Sequence, residues 1–172
     1  MEKHTPGPGP AHDAVDAIID QWAAVRPDLE TLPMAVFGRI YRLAAAMRGR
    51  VEKAYAPYGM GLGEFDVLGT LRRSGEPYTL SPRELAATLM ITTGGMTGRL
   101  DKLEKAGLLS RSPDPNDRRG LRVTLGEDAR ELVDQAVGAG LAQQRAALES
   151  ALTEEEAEQL AGLLRKLLAT TA

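Results

Sequence analysis

Apolar residues recur along most of this chain at spacings of three and four, the period of helices with one buried face. Asp13 is placed to cap a first helix reaching about Val25, with Val15, Ile18, Ile19 and Trp22 on one side. Arg26-Pro27-Asp28 breaks it, because proline disfavours helical backbone at the residue before it. Thr31 and Pro33 open a long second helix whose stripe is Val36, Ile40, Leu43, Met47 and Val51, ending near Pro57. Past Gly59, Gly61 and Gly63, a third helix from about Glu64 buries Phe65, Leu68 and Leu71 and stops before Gly75-Glu76-Pro77.

The middle of the chain changes rhythm. Ser81-Pro82-Arg83-Glu84 has a capping serine, proline in the first helical position and glutamate in the third, so a short helix starts there with Leu85, Ala86 and Leu89. Met90-Ile91 forms a turn. Thr92 then caps a helix from about Thr93 to Ala106, with Met96, Leu100 and Leu103 inward and Gly107 closing it. Leu108 to Ser112 and Leu121 to Leu125 read as two strands of a hairpin around a charged loop, Pro113 to Gly120. The last third returns to helix. Glu127 starts a long one with Leu132, Val133, Ala136, Val137, Leu141 and Leu148 facing one way. Thr153-Glu154-Glu155-Glu156 opens another with Leu160, Leu163, Leu164, Leu167 and Leu168.

The reading is mainly α with a small β-hairpin, a winged helix-turn-helix. Residues 1–12, rich in proline and glycine, form a disordered tail. Residues 13–57 form the N-terminal helices, 58–125 the winged helix-turn-helix region and 126–172 the C-terminal helices.

Composition narrows the chemistry. Of 172 residues, 43% are hydrophobic but only 4% aromatic, which suits a core of Leu, Ala, Val, Ile and Met in helices. With no cysteine, disulfides, thiolate metal sites and cysteine nucleophiles are excluded. Both histidines, His4 and His12, lie in the tail, so neither a metal site nor a cofactor is expected, and an enzyme is not. No apolar run is long enough to span a bilayer and no signal peptide is visible, so a soluble cytoplasmic protein is expected. The net charge is −3. Between Ser81 and Leu125, however, eight Lys and Arg face five Asp and Glu, and a DNA-contacting surface needs local positive potential, not a basic total.

The order helix, turn, helix, hairpin points to double-stranded DNA. Thr92, Thr93, Gly94, Gly95, Thr97 and Gly98 crowd the start of the second helix of the motif. Small polar residues at a helix N-terminus let backbone approach a groove, and the helix dipole favours phosphate there. Ser81 caps the preceding helix, and Arg99 and Lys102 are placed to reach phosphates or base edges. At the hairpin tip, Arg118 and Arg119 suit a narrow minor groove, with Asp117 orienting one of them. Two other readings compete. An enzyme with a phosphate-binding loop at Gly94 to Gly98 would need the Lys-Ser/Thr and the strand context that are missing there. A winged-helix protein-interaction module without specific DNA binding fits the fold but leaves the arginines at the tip without a role.

Asp117-Arg118-Arg119-Gly120-Leu121-Arg122-Val123-Thr124-Leu125 resembles the wing of the MarR family, with Arg119 matching its tip arginine. Leu103 to Leu109 resembles the link from recognition helix to wing, and Glu64 to Leu68 the helix before the DNA-binding motif. Gly126 departs from a frequent threonine. The resemblance runs from Asp13 onward. It implies a transcriptional regulator, an obligate homodimer built from the N- and C-terminal helices, and two recognition helices in successive major grooves of a pseudo-palindrome. A repressor released by a small molecule is expected.

A narrower resemblance is to the family's urate-responsive branch. The extra first helix carrying Trp22, Asp66 before the motif and Arg99 on the recognition helix match in order and approximate spacing. Some members have a histidine four residues before the aspartate; here Leu62 stands there. This resemblance implies a small anionic aromatic ligand, such as a purine or phenolic acid, bound by Trp22, Asp66 and Arg99. The same residues equally fit an interface anchor and a structural salt bridge.

Overall fold

A computed structural model describes residues 12–89 and 95–170. Along the chain run α1 (Ala14–Val25), α2 (Leu32–Tyr55), a 3-10 turn (Ala56–Tyr58), α3 (Leu62–Arg73), β1 (Thr79–Leu80), α4 (Pro82–Thr88), α5 (Met96–Lys105), β2 (Leu109–Asp114), β3 (Asp117–Leu125), α6 (Glu127–Glu149) and α7 (Glu154–Leu168). The fold is mainly helical with one small antiparallel sheet, ordered β1-β3-β2. Two compact units divide the chain, Met1–Arg48 with Ala142–Ala172, and Gly49–Leu141. The expected tail, apart from His12, lies outside the described residues, as do the Met90-Ile91 turn and Thr92, Thr93 and Gly94. Among the described residues, no helix is long and apolar enough to cross a membrane.

In the first unit α1 is fastened to α2. Asp13 Oδ1 accepts from the Val15 and Asp16 backbone N–H groups at 2.7 and 3.1 Å, and Asp16 accepts from the Asp13 N–H at 2.9 Å. The guanidinium of Arg39 on α2 bridges both carboxylates, at 2.9 Å to Asp13 and 2.7 Å to Asp16. Val15 is buried against Gly38, where an added Cβ would lie 3.0 Å from Val15 Cγ1. Many apolar side chains stay exposed in this unit, among them Trp22, Val25, Leu32, Phe37, Tyr41 and Leu163.

The second unit holds the main core. Val67, Leu68, Leu71, Leu85 and Val123 are fully buried, with Leu100, Leu103, Leu109 and Leu125 around them. From α6 come Ala129, Val133 and Ala136. The α6 stripe therefore divides: these smaller side chains enter the core, whereas Val137, Leu141 and Leu148 remain exposed.

Several boundaries differ from the sequence reading, each for a local reason. The helix expected to begin at Thr93 under a Thr92 cap begins at Met96, because Gly95 ahead of it adopts a left-handed φ of 84° that a helix cannot contain. α3 begins at Leu62, since Gly61 is extended and its N–H is taken by Glu64 one turn on, at 3.1 Å. The hairpin is longer than expected: β2 runs to Asp114 and β3 starts at Asp117, leaving Pro115 and Asn116 at the tip. A third strand, β1, adds to it, pairing Thr79 with Thr124 and Leu80 with Val123. Two residues are too few to show an alternating pattern.

Candidate nucleic-acid interface

Three cross-links fix the helix-turn-helix and its wing. Ser81 caps α4 as expected, its hydroxyl accepting from the Glu84 N–H at 3.2 Å while Glu84 accepts from the Ser81 N–H at 2.7 Å. That N–H holds the Glu84 carboxyl below its ordinary pKa, with further lowering from the Ser81 side chain and Arg122. The second link ties α5 to α3. Lys102 Nζ lies 2.7 Å from Glu64 Oε1, and this contact is the main reason the Glu64 pKa is lowered. Beside it the Arg99 guanidinium lies over Gly63, where a Cβ would be 2.6 Å from Nε and 2.7 Å from Cζ. The third link ties α5 to β2: Arg111 pairs with Asp101 at 2.7 Å and, through Nε at 2.9 Å and the neighbouring amine, with Glu104.

Outside this framework the motif presents an exposed polar surface. Thr97 and Gly98 are exposed on the first turns of α5, and Arg83 and Lys105 on α4 and α5. Arg119 is exposed on the wing, next in sequence to Arg118. Asp117 Oδ1 accepts from the Arg119 backbone N–H at 2.9 Å; the expectation that Asp117 orients one of the two arginines falls partly on Arg118, whose side chain lies outside the described residues. Asp114 Oδ1 likewise accepts from the Asn116 backbone N–H at 2.9 Å. The tip is therefore shaped by carboxylates acting on backbone, a common turn device.

Trp22 belongs to the first unit and is 42% exposed. Asp66 is buried on α3 in the second unit. Burial, and then the Asp66 charge, push the Tyr55 phenol above its usual pKa. Among the described residues, Arg99 Nη1 is buried without a hydrogen-bond partner.

Sequence reasoning assigned no role to Glu64, Arg111 or Arg122, which the fold places in the framework. Only Glu104 and Arg111, seven residues apart across the helix-to-strand turn, offered a local signal.

A family model described as the MarR family matches residues 58–120. The HTH-type transcriptional regulator PecS of Dickeya dadantii is 37% identical over 153 residues, covering 89% of this chain and 92% of PecS. The multiple antibiotic resistance protein MarR of Escherichia coli is 32% identical over 143 residues, 81% of this chain and 93% of MarR. Among solved structures, a mutant of E. coli MarR complexed with operator DNA aligns with a TM-score of 0.69 at 24% identity, over 86% of this chain and 97% of that one. An organohalide-sensing transcriptional regulator in its 2,4-dichlorophenol-bound form aligns with a TM-score of 0.74 at 20% identity, over 85% of each chain. The structural likenesses show the fold, and the identity to PecS spans nearly all of both chains. The 32% identity to MarR over 81% of this chain and 93% of MarR, with the matching family model, shows that this chain belongs to the MarR family of winged-helix, DNA-binding transcriptional regulators, in keeping with the capped α4, the following α5 and the arginine-bearing wing.

Proposed function

We propose that the protein is a homodimeric repressor that binds a pseudo-palindromic operator and leaves it when a small anionic aromatic ligand binds. The observation that carries the DNA reading is the wing: a two-stranded ribbon whose tip is held by Asp114 and Asp117 and which exposes Arg119. Such a ribbon suits a minor groove, where a narrow A·T-rich stretch concentrates negative potential. Ser81, Thr92, Thr93, Gly94, Thr97, Arg99, Lys102 and Arg118 are the further residues assigned to DNA. A dimer is supported by the apolar side chains left exposed in the first unit, Trp22, Leu32, Phe37 and Leu163 among them. Residues 13–57 and 126–172 are assigned to dimerisation, and two linked half-site contacts give a dimer its affinity.

The ligand reading rests on the match of Trp22, Asp66 and Arg99 to the urate-responsive branch. It is supported within the second unit by a buried Arg99 nitrogen with no hydrogen-bond partner among the described residues. A buried cationic donor left in that state favours an anionic acceptor. A ligand that engages Arg99, on the recognition helix itself, couples to DNA by differential affinity, and DNA must weaken the ligand by the same factor.

The test is fluorescence anisotropy on a duplex from the region upstream of the protein's own gene. Arg119→Ala is expected to weaken binding about tenfold and to reduce the salt slope by about one, without a change in Tm. Equal affinity refutes the wing contact. A chain that dimerises yet binds no duplex leaves the interaction-module reading. Titration of urate, other purines and phenolic acids, followed by emission of the single tryptophan, Trp22, and by DNA release, tests the ligand.

A further inference from the structure

Arg122 lies three residues beyond Arg119 on β3 and shares its charge, yet its guanidinium is turned to the protein. Nε lies 2.9 Å from Asp114 Oδ2 in an ion pair, and Nη1 stands 3.7 Å from Glu84 Oε2. Each partner has a second task. Asp114 Oδ1 accepts from the Asn116 N–H at the wing tip, and Glu84 Oε2 accepts from the Ser81 N–H in the α4 cap. Asp114 is also the better shielded partner, its side chain 13% exposed against 55% for Glu84, so its ion pair is the less screened by water.

The position of this contact matters. The β2–β3 register runs regularly through Ser112 with Arg122 and Pro113 with Leu121, then shifts, pairing Asp114 with Asp117. A break of this kind bends a ribbon and re-aims the residues beyond it. At the bend the strands are in close approach: a Cβ on Gly120 would lie 3.0 Å from the Cβ atoms of both Asp114 and Asp117. Arg122 thus grips the wing where it departs from the regular ladder and ties that point to the N-terminus of α4.

We propose that Arg122 is a positioning residue for DNA recognition: through Asp114 and Glu84 it fixes the direction of the wing tip relative to the helix-turn-helix, and it does not itself contact DNA. This rests on the wing contact proposed above. Groove readout depends on the register and orientation in which the reading elements are held, and an arginine counted with the basic surface serves here to hold them.

Thermodynamic cycles separate the two roles. Operator affinity and its salt dependence are measured for the full chain, for Arg119→Ala, for Arg122→Gln and for the double variant. A positioning role predicts that Arg122→Gln weakens binding about as much as Arg119→Ala, roughly tenfold, and adds little further loss in the Arg119→Ala background. A direct phosphate contact predicts additive losses and a further drop of about one in the salt slope, which overturns the proposal. Asp114→Asn is decisive because asparagine can still accept from Asn116. It weakens binding if Arg122 is a clamp and strengthens it if Arg122 is a DNA contact freed from a competing carboxylate. This arm also serves if Arg122→Gln fails to fold, as judged by Tm. Unaltered affinity in both Arg122→Gln and Asp114→Asn also overturns the proposal. If the unsubstituted chain and Arg119→Ala bind alike, the wing contact itself has failed.

Discussion

Replacing Glu64 by glutamine isolates what Lys102 does. In the fold Lys102 Nζ is held 2.7 Å from Glu64 Oε1, with the lysine side chain 62% exposed and the glutamate 17% exposed. Because solvent reaches the cation freely, the pair stabilises the fold by no more than about 1 kcal/mol. Glutamine keeps the accepting oxygen that serves the Gly61 N–H, so the start of α3 survives. The substitution therefore costs little stability and releases one cation on the recognition helix. A lysine that reaches a phosphate steepens the salt dependence of log K by about 0.9. Between 50 and 200 mM salt this amounts to an additional threefold to fourfold loss of affinity, measured from a tighter starting value at low salt. Anisotropy at four or five salt concentrations reads the slope directly. Weaker binding with an unchanged slope refutes the reasoning, because Lys102 then acts by holding α5 against α3. A Tm lowered by many degrees refutes the energetic part.

Two further outcomes concern the fold. Gly140→Ala should lower stability by about 1 kcal/mol although alanine is the better helix former, because overpacking outweighs that gain. The added Cβ would lie 2.6 Å from the hydroxyl of Tyr55, which is buried and stacked on Phe65 at 4.2 Å. Thermal unfolding checks it, and a smaller loss in a Tyr55→Phe background is expected. Acid should loosen α1. The carboxyls of Asp13 and Asp16 are lowered, first by each other's neighbouring backbone N–H and then by Arg39. A group with a depressed folded-state pKa contributes stability above its unfolded value, near 4, and loses it as pH falls through the folded value. His12, raised chiefly by Asp20, is protonated throughout that range and does not oppose the change. Trp22 emission should therefore move as the pH falls below about 4, the unfolded carboxyl value, and move less in Arg39→Gln, in which the bridge is already absent.

The helices were legible because burial leaves a period. Leu68 and Leu71 on α3 and Leu85 on α4, each expected to point inward from its spacing, are fully buried. Caps were legible for the same local reason: Asp13, Ser81 and Thr153 each satisfy donors within three residues. Where a boundary was misplaced, a backbone conformation decided it. Threonine at 92 has the chemistry of a cap, but Gly95 takes the left-handed angle and α5 starts after it. The strand β1 was missed because its signal lies in a partner, Thr124, 45 residues away.

Charge was the least legible property, and the reason bears on how a recognition surface works. A count between Ser81 and Leu125 treats every Lys and Arg as available to DNA. The fold pairs Lys102 with Glu64, Arg111 with Asp101 and Glu104, and Arg122 with Asp114 and Glu84. Arg83, Lys105 and Arg119 are exposed and make no ion pair among the described residues. A cation already facing a carboxylate releases few counterions when phosphate approaches, so it adds little to non-specific affinity. What Arg111 and Arg122 add is geometry: their contacts join α5 to β2 and the wing to α4. Base readout requires a helix and a ribbon held at fixed angles, and charged contacts between elements help to hold them. The acidic residues of this segment are thus part of how it recognises DNA, which is why a modest local excess of positive charge is compatible with a DNA-binding role in a chain whose net charge is −3.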